Sequence, residues 1–305
     1  MTILELLVSF KQMSLIRGIL SCLLVTFAAV SGCVILGFWK IVTRISDSKA
    51  EPLLLRKADY TIIWWSLVNQ KMIQWLGLSK ITIDINTSKP LDLQKWYLIF
   101  CNHQTWVDIL ILQTSLLQLI APIKFFTKSQ LKWVPFIGIA MYGLDFPYVK
   151  RATREQIKSN PALATLDRDN IFEACERFKN HPTCILNFLE GTRFSPEKHQ
   201  QRNSKYTHLL SPKIGGASYV LEAMHDHLDS ILDITIYYPE GVPTFWDFLS
   251  GKNKNVILQI KDFPIPEQSG SSSSHHKREV QSLVEKIWEE KDLYLQDLNQ
   301  ESLVS

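Results

Sequence analysis

The chain of 305 residues has 33 Lys and Arg against 30 Asp and Glu, a net charge of +3, with 46% hydrophobic residues and nine Trp. Charge this close to balance, with no basic tail, argues against nucleic acid as a partner. The length allows one large domain or two ordinary ones, enough to build a core without staples. The five cysteines include no Cys-x-x-Cys pair. They read as buried thiols in a reducing compartment, with no disulfide framework and no zinc site.

In chain order, Gly18 to Trp39 is a run of 22 residues without a charge, flanked by Lys11 and Arg17 before and Lys40 and Arg44 after. As a helix it measures about 33 Å, enough to span the hydrocarbon core of a bilayer. It is too long for the apolar region of a cleaved secretory signal. The Val30-Ser31-Gly32-Cys33 box resembles a lipoprotein cleavage site, but apolar residues continue past it to Trp39. An uncleaved transmembrane anchor is the expectation. Pro52 to Leu76 carries apolar residues three and four apart, Trp among them, as in a helix lying in the headgroup layer or packed on the first.

Ile81–Ile85 alternates like a half-buried strand, and Trp96–Cys101 is a continuous apolar run like a buried one. Ile109–Ile120 predicts a helix, Pro122–Phe126 a strand, and Lys128–Met141 a helix broken near Pro135. Phe146–Val149 is short and apolar. Asp169–Asn180 predicts a helix, Cys184–Leu189 a buried strand, and Ser195–Ser211 a polar loop. Ile214–Met224 predicts a helix, Ile231–Tyr237 and Val256–Ile260 strands, and Ser269–Ser274 a linker. The last segment is an amphipathic helix that docks on the body. Three parts result: residues 1–78 with the anchor and interfacial helix, an α/β domain over 79–268, and the linker and C-terminal helix over 269–305. Strands alternating with helices indicate an α/β layer structure.

Two turns carry candidate chemistry. Asn102-His103-Gln104-Thr105-Trp106-Val107-Asp108 joins a strand to a helix, at the carboxyl end where open α/β sheets place their sites. A histidine oriented by a nearby carboxylate is a ready general base. Glu190-Gly191-Thr192-Arg193 also follows a strand. The glycine lets backbone approach a ligand, and Arg193 offers a planar fork of donors for phosphate, with the Thr192 hydroxyl beside it. Glu190 could hold that arginine or bond a substrate hydroxyl. Between Ala121 and Arg154 six cations (Lys124, Lys128, Lys132, Lys150, Arg151, Arg154) face one acid, Asp145, a field suited to phosphate on a lipid or a carrier.

These motifs resemble those of the glycerophospholipid acyltransferases, the family of lysophosphatidic acid acyltransferases. His103 with Asp108, then Glu190-Gly191-Thr192-Arg193, match its first and third motifs; Lys128, Pro135, Gly138 and Arg151 match its second. Leu210-Ser211-Pro212-Lys213 and Ile234 to Pro239 are similar to the membrane-anchored branch that includes the inner-membrane acyltransferases of enterobacteria. Two departures stand out. Leu189 stands where the family commonly has Pro, and Val242-Pro243, set against its Val-Pro motif, lies in a loop. The resemblance covers roughly Trp96 to Pro266. It implies a mixed central sheet flanked by helices, and acyl transfer from acyl-CoA or acyl carrier protein to a lysophospholipid hydroxyl, most simply 1-acyl-glycerol-3-phosphate. It further implies His103 and Asp108 as the catalytic pair, with Arg193, Arg151, Lys128, Glu190, Gly191, Thr192 and Asn102 at the substrate. No bound cofactor or metal is implied. The expected place is a bacterial inner membrane, with the site toward the cytosol where thioester donors are found.

Two other classes compete. A lipid hydrolase needs a nucleophile on a sharp turn, and no Gly-x-Ser-x-Gly run exists; Ser195 is the nearest serine to the second turn. A non-catalytic phospholipid-binding protein would need only the anchor and the cations.

Overall fold

The computed structural model describes residues 3–45, 51–128, 133, 137–144, 146, 148–149, 158–161, 163–267 and 273–304. Two long helices come first, α1 (Ile3–Ile45) and α2 (Glu51–Trp75), and pack on each other. Within α1, Lys11–Val42 is long and apolar enough to cross a membrane. Its exposed residues Ile16, Leu20, Leu23, Phe27, Val30, Val34, Phe38 and Ile41 form a stripe at helical spacing. Ser21, Ala28 and Leu36 are buried on the other side. Close packing there depends on small residues: a Cβ on Gly18 would sit 2.6 Å from the Trp246 ring, and one on Gly32 3.3 Å from Thr61.

Then follow β1 (Lys80–Asn86), β2 (Trp96–Cys101), α3 (Val107–Ser115), β3 (Ile123–Phe125), β4 (Thr127–Lys128), α4 (Ile137–Gly143), β5 (Tyr148–Val149) and α5 (Leu163–Phe178). The chain continues through β6 (Cys184–Phe188), α6 (Pro196–Arg202), α7 (Gly215–Met224), β7 (Leu228–Tyr237), α8 (Phe245–Leu249), β8 (Asn255–Phe263) and α9 (Ser273–Val304). The main sheet is mixed, in the order β1-β8-β7-β2-β6-β3. β7, β2, β6 and β3 run parallel, while β8 is antiparallel to β7 and carries β1 alongside it in its own direction.

β2 explains why its sequence is an unbroken apolar run. Tyr97, Ile99 and Cys101 point into the core layer shared with α2 and α3, and Leu98 and Phe100 into the layer beneath α5, α7 and α9. A central parallel strand covered on both faces has no polar side. The four parallel strands also end on one edge of the sheet. The loops after β2, β6 and β7 therefore meet there.

Several sequence expectations change, α3 among them, which ends at Ser115, five residues short of the expected Ile120. Ser195–Ser211 is not all loop: Ser195 accepts a hydrogen bond from the Lys198 N–H at 3.4 Å and caps α6, with Pro196 at the first helical position. A second short helix, α8, is capped by Thr244. α5 begins at Leu163, six residues ahead of the predicted start. Lys124, counted above among phosphate-seeking cations, is buried and pairs with Asp59 of α2 at 2.9 Å; His181 bonds the other oxygen of that carboxylate. Lys124 therefore fastens α2 to β3. The breaking point near Pro135 lies outside the described residues.

Candidate active site

His103 leaves the end of β2, and five residues on Asp108 opens α3, so the chain turns back and brings the two side chains together. His103 Nδ1 lies 2.9 Å from Asp108 Oδ2, with the imidazole 14% exposed and the carboxylate fully buried. The same Oδ2 accepts the backbone N–H groups of Gln104 at 2.6 Å and Thr105 at 2.9 Å. Oδ1 accepts the Tyr238 hydroxyl at 2.7 Å. Four donors thus converge on one buried carboxylate and fix it in plane. A carboxylate oxygen accepts, so the proton of the imidazole lies on Nδ1 and leaves Nε2 as the acceptor. The Phe188 ring stacks on the imidazole at 4.0 Å between centroids, fixing its plane from the β6 side.

Glu190 and Asn102, both expected at the substrate, are fully buried and bonded to backbone instead. Asn102 donates to the Ile236 carbonyl and accepts the Ile236 N–H, each at 2.9 Å, extending the β2–β7 ladder past the end of β2. Glu190 accepts the His103 N–H at 2.8 Å and the Leu210 N–H at 3.0 Å. Neither of those bonds goes to Arg193. Burial pushes the Glu190 carboxyl up to about 7, against the pull of those two N–H donors. The Leu210 carbonyl in turn accepts the Trp288 indole N–H at 3.0 Å. A line of buried hydrogen bonds therefore runs from α9 to the His103 turn. Both arrangements share one cause: polar residues at the end of a buried central strand satisfy the neighbouring backbone.

Gly191 takes a positive φ of 68°, the left-handed conformation that glycine adopts without steric cost. The turn it makes projects Thr192 and Arg193 outward. Arg193 is exposed and stacks over Trp106 at 4.8 Å, which brings its guanidinium to the His103–Asp108 turn. Thr192 Oγ1 accepts from Lys198 Nζ at 3.2 Å, and the Arg193 carbonyl from the same ammonium at 2.9 Å. Lys198 was not anticipated; the Ser195-Pro196 helix-start signal pointed to it, because α6 is what carries it back to the turn. The Phe194 N–H donates to the His103 carbonyl at 2.7 Å, tying the two turns directly. Val242-Pro243 is in a loop as expected, and that loop also reaches the site: Thr105 Oγ1 donates to the Pro243 carbonyl at 2.9 Å. Arg151 lies outside the described residues, and of Lys128 only the backbone, in β4, is described. Among the described residues no group of three or more His, Cys, Asp or Glu is placed to hold a metal ion. None of the five cysteines is in a disulfide.

A base with its orienting carboxylate, an exposed arginine and a lysine thus share one edge of the sheet. Such a set can take a proton from a hydroxyl held by a nearby anionic group.

A protein-family model described as Acyltransferase matches residues 82–239, from within β1 to just past β7, including both turns. Lysocardiolipin acyltransferase 1 of Gallus gallus is 28% identical over 64% of this chain and 51% of its own, so the chain spans about half the length of that relative. The 1-acyl-sn-glycerol-3-phosphate acyltransferase gamma of Homo sapiens is 23% identical over 92% of this chain and 74% of its own. The crystal structure of PlsC, a 1-acyl-sn-glycerophosphate acyltransferase from Thermotoga maritima, has 19% identity and a TM-score of 0.49, covering 90% of this chain and 97% of that one.

Proposed function

Since the chain belongs to the Acyltransferase family, we propose that it moves a fatty acyl group from an acyl thioester, acyl-CoA or acyl carrier protein, to the free hydroxyl of a phosphate-bearing lysolipid. The acceptor in its simplest form is 1-acyl-glycerol-3-phosphate, and the product phosphatidic acid. The observation that carries this reading is the 2.9 Å contact of His103 Nδ1 with Asp108 beside the Arg193–Trp106 stack. His103 Nε2 takes the hydroxyl proton as the oxygen attacks the thioester carbonyl. The C–O bond forms, the C–S bond breaks, and the imidazolium returns the proton to the departing thiolate. A thioester is already activated, so no acyl-enzyme is needed.

Arg193, with Lys198 beside Thr192, holds the acceptor phosphate and so sets the hydroxyl over Nε2. Arg151 and Lys128, suggested by the family resemblance, complete this cationic set. Arg193→Ala removes a charged hydrogen-bond pair worth about 1.5–3 kcal/mol, so KM for the lysolipid should rise roughly 10- to 100-fold. Kinetics with varied acceptor at saturating donor read this directly. An unchanged KM would remove Arg193 from the phosphate site.

The exposed apolar stripe of α1 supports a membrane-held enzyme, and a thioester donor places the site on the cytosolic side, in a bacterium the inner membrane. The hydrolase alternative would rest on Ser195, which caps α6. Ser195→Ala should therefore cost about 1 kcal/mol of stability and leave acyl transfer within roughly threefold. Its loss would favour a serine nucleophile.

The test of the whole reading is acyl transfer by membranes bearing the chain. Lysophosphatidate, lysocardiolipin and lysophosphatidylinositol are offered with both donors, to wild type and His103→Ala. Product from wild type alone supports it. Product from both proteins, or from neither, contradicts it.

A further inference from the structure

Tyr238 lies one residue past β7, far along the chain from the catalytic turn. It is buried, with 3% of its surface exposed, and belongs to the same core layer as Cys101 and Val107. Its hydroxyl donates to Asp108 Oδ1 at 2.7 Å, on the opposite side of the carboxylate from His103. A buried phenol needs a partner, but a backbone carbonyl would serve that need. This one meets instead the carboxylate that orients the base. The other three donors, Gln104 N–H, Thr105 N–H and the imidazole, all crowd Oδ2. Tyr238 is the one hydrogen-bond donor that the described residues give Oδ1.

We propose that Tyr238 is a positioning residue for the acyl transfer. Its O–H draws part of the Asp108 charge to Oδ1 and holds the carboxylate plane, and thereby sets how strongly Asp108 stabilises the His103 imidazolium. This rests on the acyltransferase reading of the site. The other ionisable groups around the carboxylate are Cys101 at the end of β2 and Glu190 after β6; Lys291 of α9 is the cation whose charge reaches both. Burial and the Asp108 charge both push the Tyr238 phenol well above its ordinary range, so the hydroxyl stays a donor throughout the working pH.

The sign of the effect follows from the hydrogen bond. Without the phenol, the carboxylate charge is concentrated on the imidazole side, the imidazolium is favoured, and the base is protonated to higher pH. In Tyr238→Phe the acid limb of the kcat profile should move up by about half a pH unit, and plateau kcat should fall about 3- to 10-fold, with KM for the lysolipid unchanged. Glu190 titrates in both proteins, so the readout is the difference between their profiles. Incorporating 3,5-difluorotyrosine at position 238 keeps the ring and the bond but strengthens the donor. Its acid limb should move down, which gives a second reading should Tyr238→Phe fail to accumulate. A fall in kcat with an unmoved limb in both variants would make Tyr238 a packing residue and overturn the proposal. Absence of transfer by wild type would instead overturn the reading it rests on.

Discussion

Replacing His103 with Ala is expected to lower acyl transfer by about 10³-fold, the middle of the range for a positioned general base. Apart from the proton transfer, the imidazole gives the site one of the four hydrogen bonds to Asp108, and three donors remain without it. Its ring is 14% exposed and lies against Phe188, so truncation opens a small space at the site mouth and leaves the core intact. The backbone of the same residue is held from both ends, by Glu190 at its N–H and by Phe194 at its carbonyl. Those bonds survive the substitution, so the loop should keep its path. Membrane-bound protein at wild-type abundance and thermal midpoint, with activity lost, is the expected pair of results. Retained transfer would mean that the base is elsewhere.

Asp108→Asn is expected to cost about 10²–10³-fold in kcat with little change in KM. An amide could be placed in two ways. If its NH₂ faced His103, it would also meet the N–H groups of Gln104 and Thr105, three donors against one. Turned the other way, its oxygen serves those three and its NH₂ meets the Tyr238 hydroxyl, which can accept as well as donate. The second arrangement is favoured, so the imidazole keeps its tautomer and loses only the charge that stabilises the imidazolium. The penalty should accordingly stay below that of a triad whose histidine is left in the wrong tautomer. Steady-state kinetics of the variant beside His103→Ala check this ordering.

Much of the site was legible because strand ends and short polar motifs are local features. The unbroken run Trp96–Cys101 marked β2 at both ends, and the five-residue step from His103 to Asp108 spans one strand-to-helix turn. What stayed hidden depends on partners far away in sequence. Asn102 bonds Ile236, 134 positions on, and Tyr238 reaches Asp108 across 130. Neither link leaves a pattern in the residues near it. Glu190 was expected to hold Arg193 or bond a substrate hydroxyl, whereas its burial at a strand end turns it to the N–H groups of His103 and Leu210. The antiparallel β8 was equally hidden, since strand direction is set by how the connection folds back and not by composition. The two short helices had visible signals: Ser195-Pro196 is a cap followed by a first-turn proline, and Thr244 with Asp247 is another cap. Both were obscured by the polar or turn-rich residues around them.

The α9 helix lies outside residues 82–239, yet it touches the site's support. Lys291, with no exposed side-chain surface, pairs with Asp233 of β7 at 2.8 Å, and Trp288 holds the Leu210 carbonyl. A buried ammonium is tolerated only with its charge and donors matched. The C-terminal helix is therefore part of the body that holds Glu190, and through Glu190 the His103 backbone.

The central claim is that His103 activates a lipid alcohol, and not water, for attack on the acyl thioester. Thiol release from acyl-CoA, followed alongside phosphatidate formation by the wild-type chain, tests it most directly. The account predicts one thiol per phosphatidate when lysophosphatidate is present and almost no thiol when it is withheld. Thiol release at the same rate without the acceptor would contradict it, because water would then be the substrate of the base.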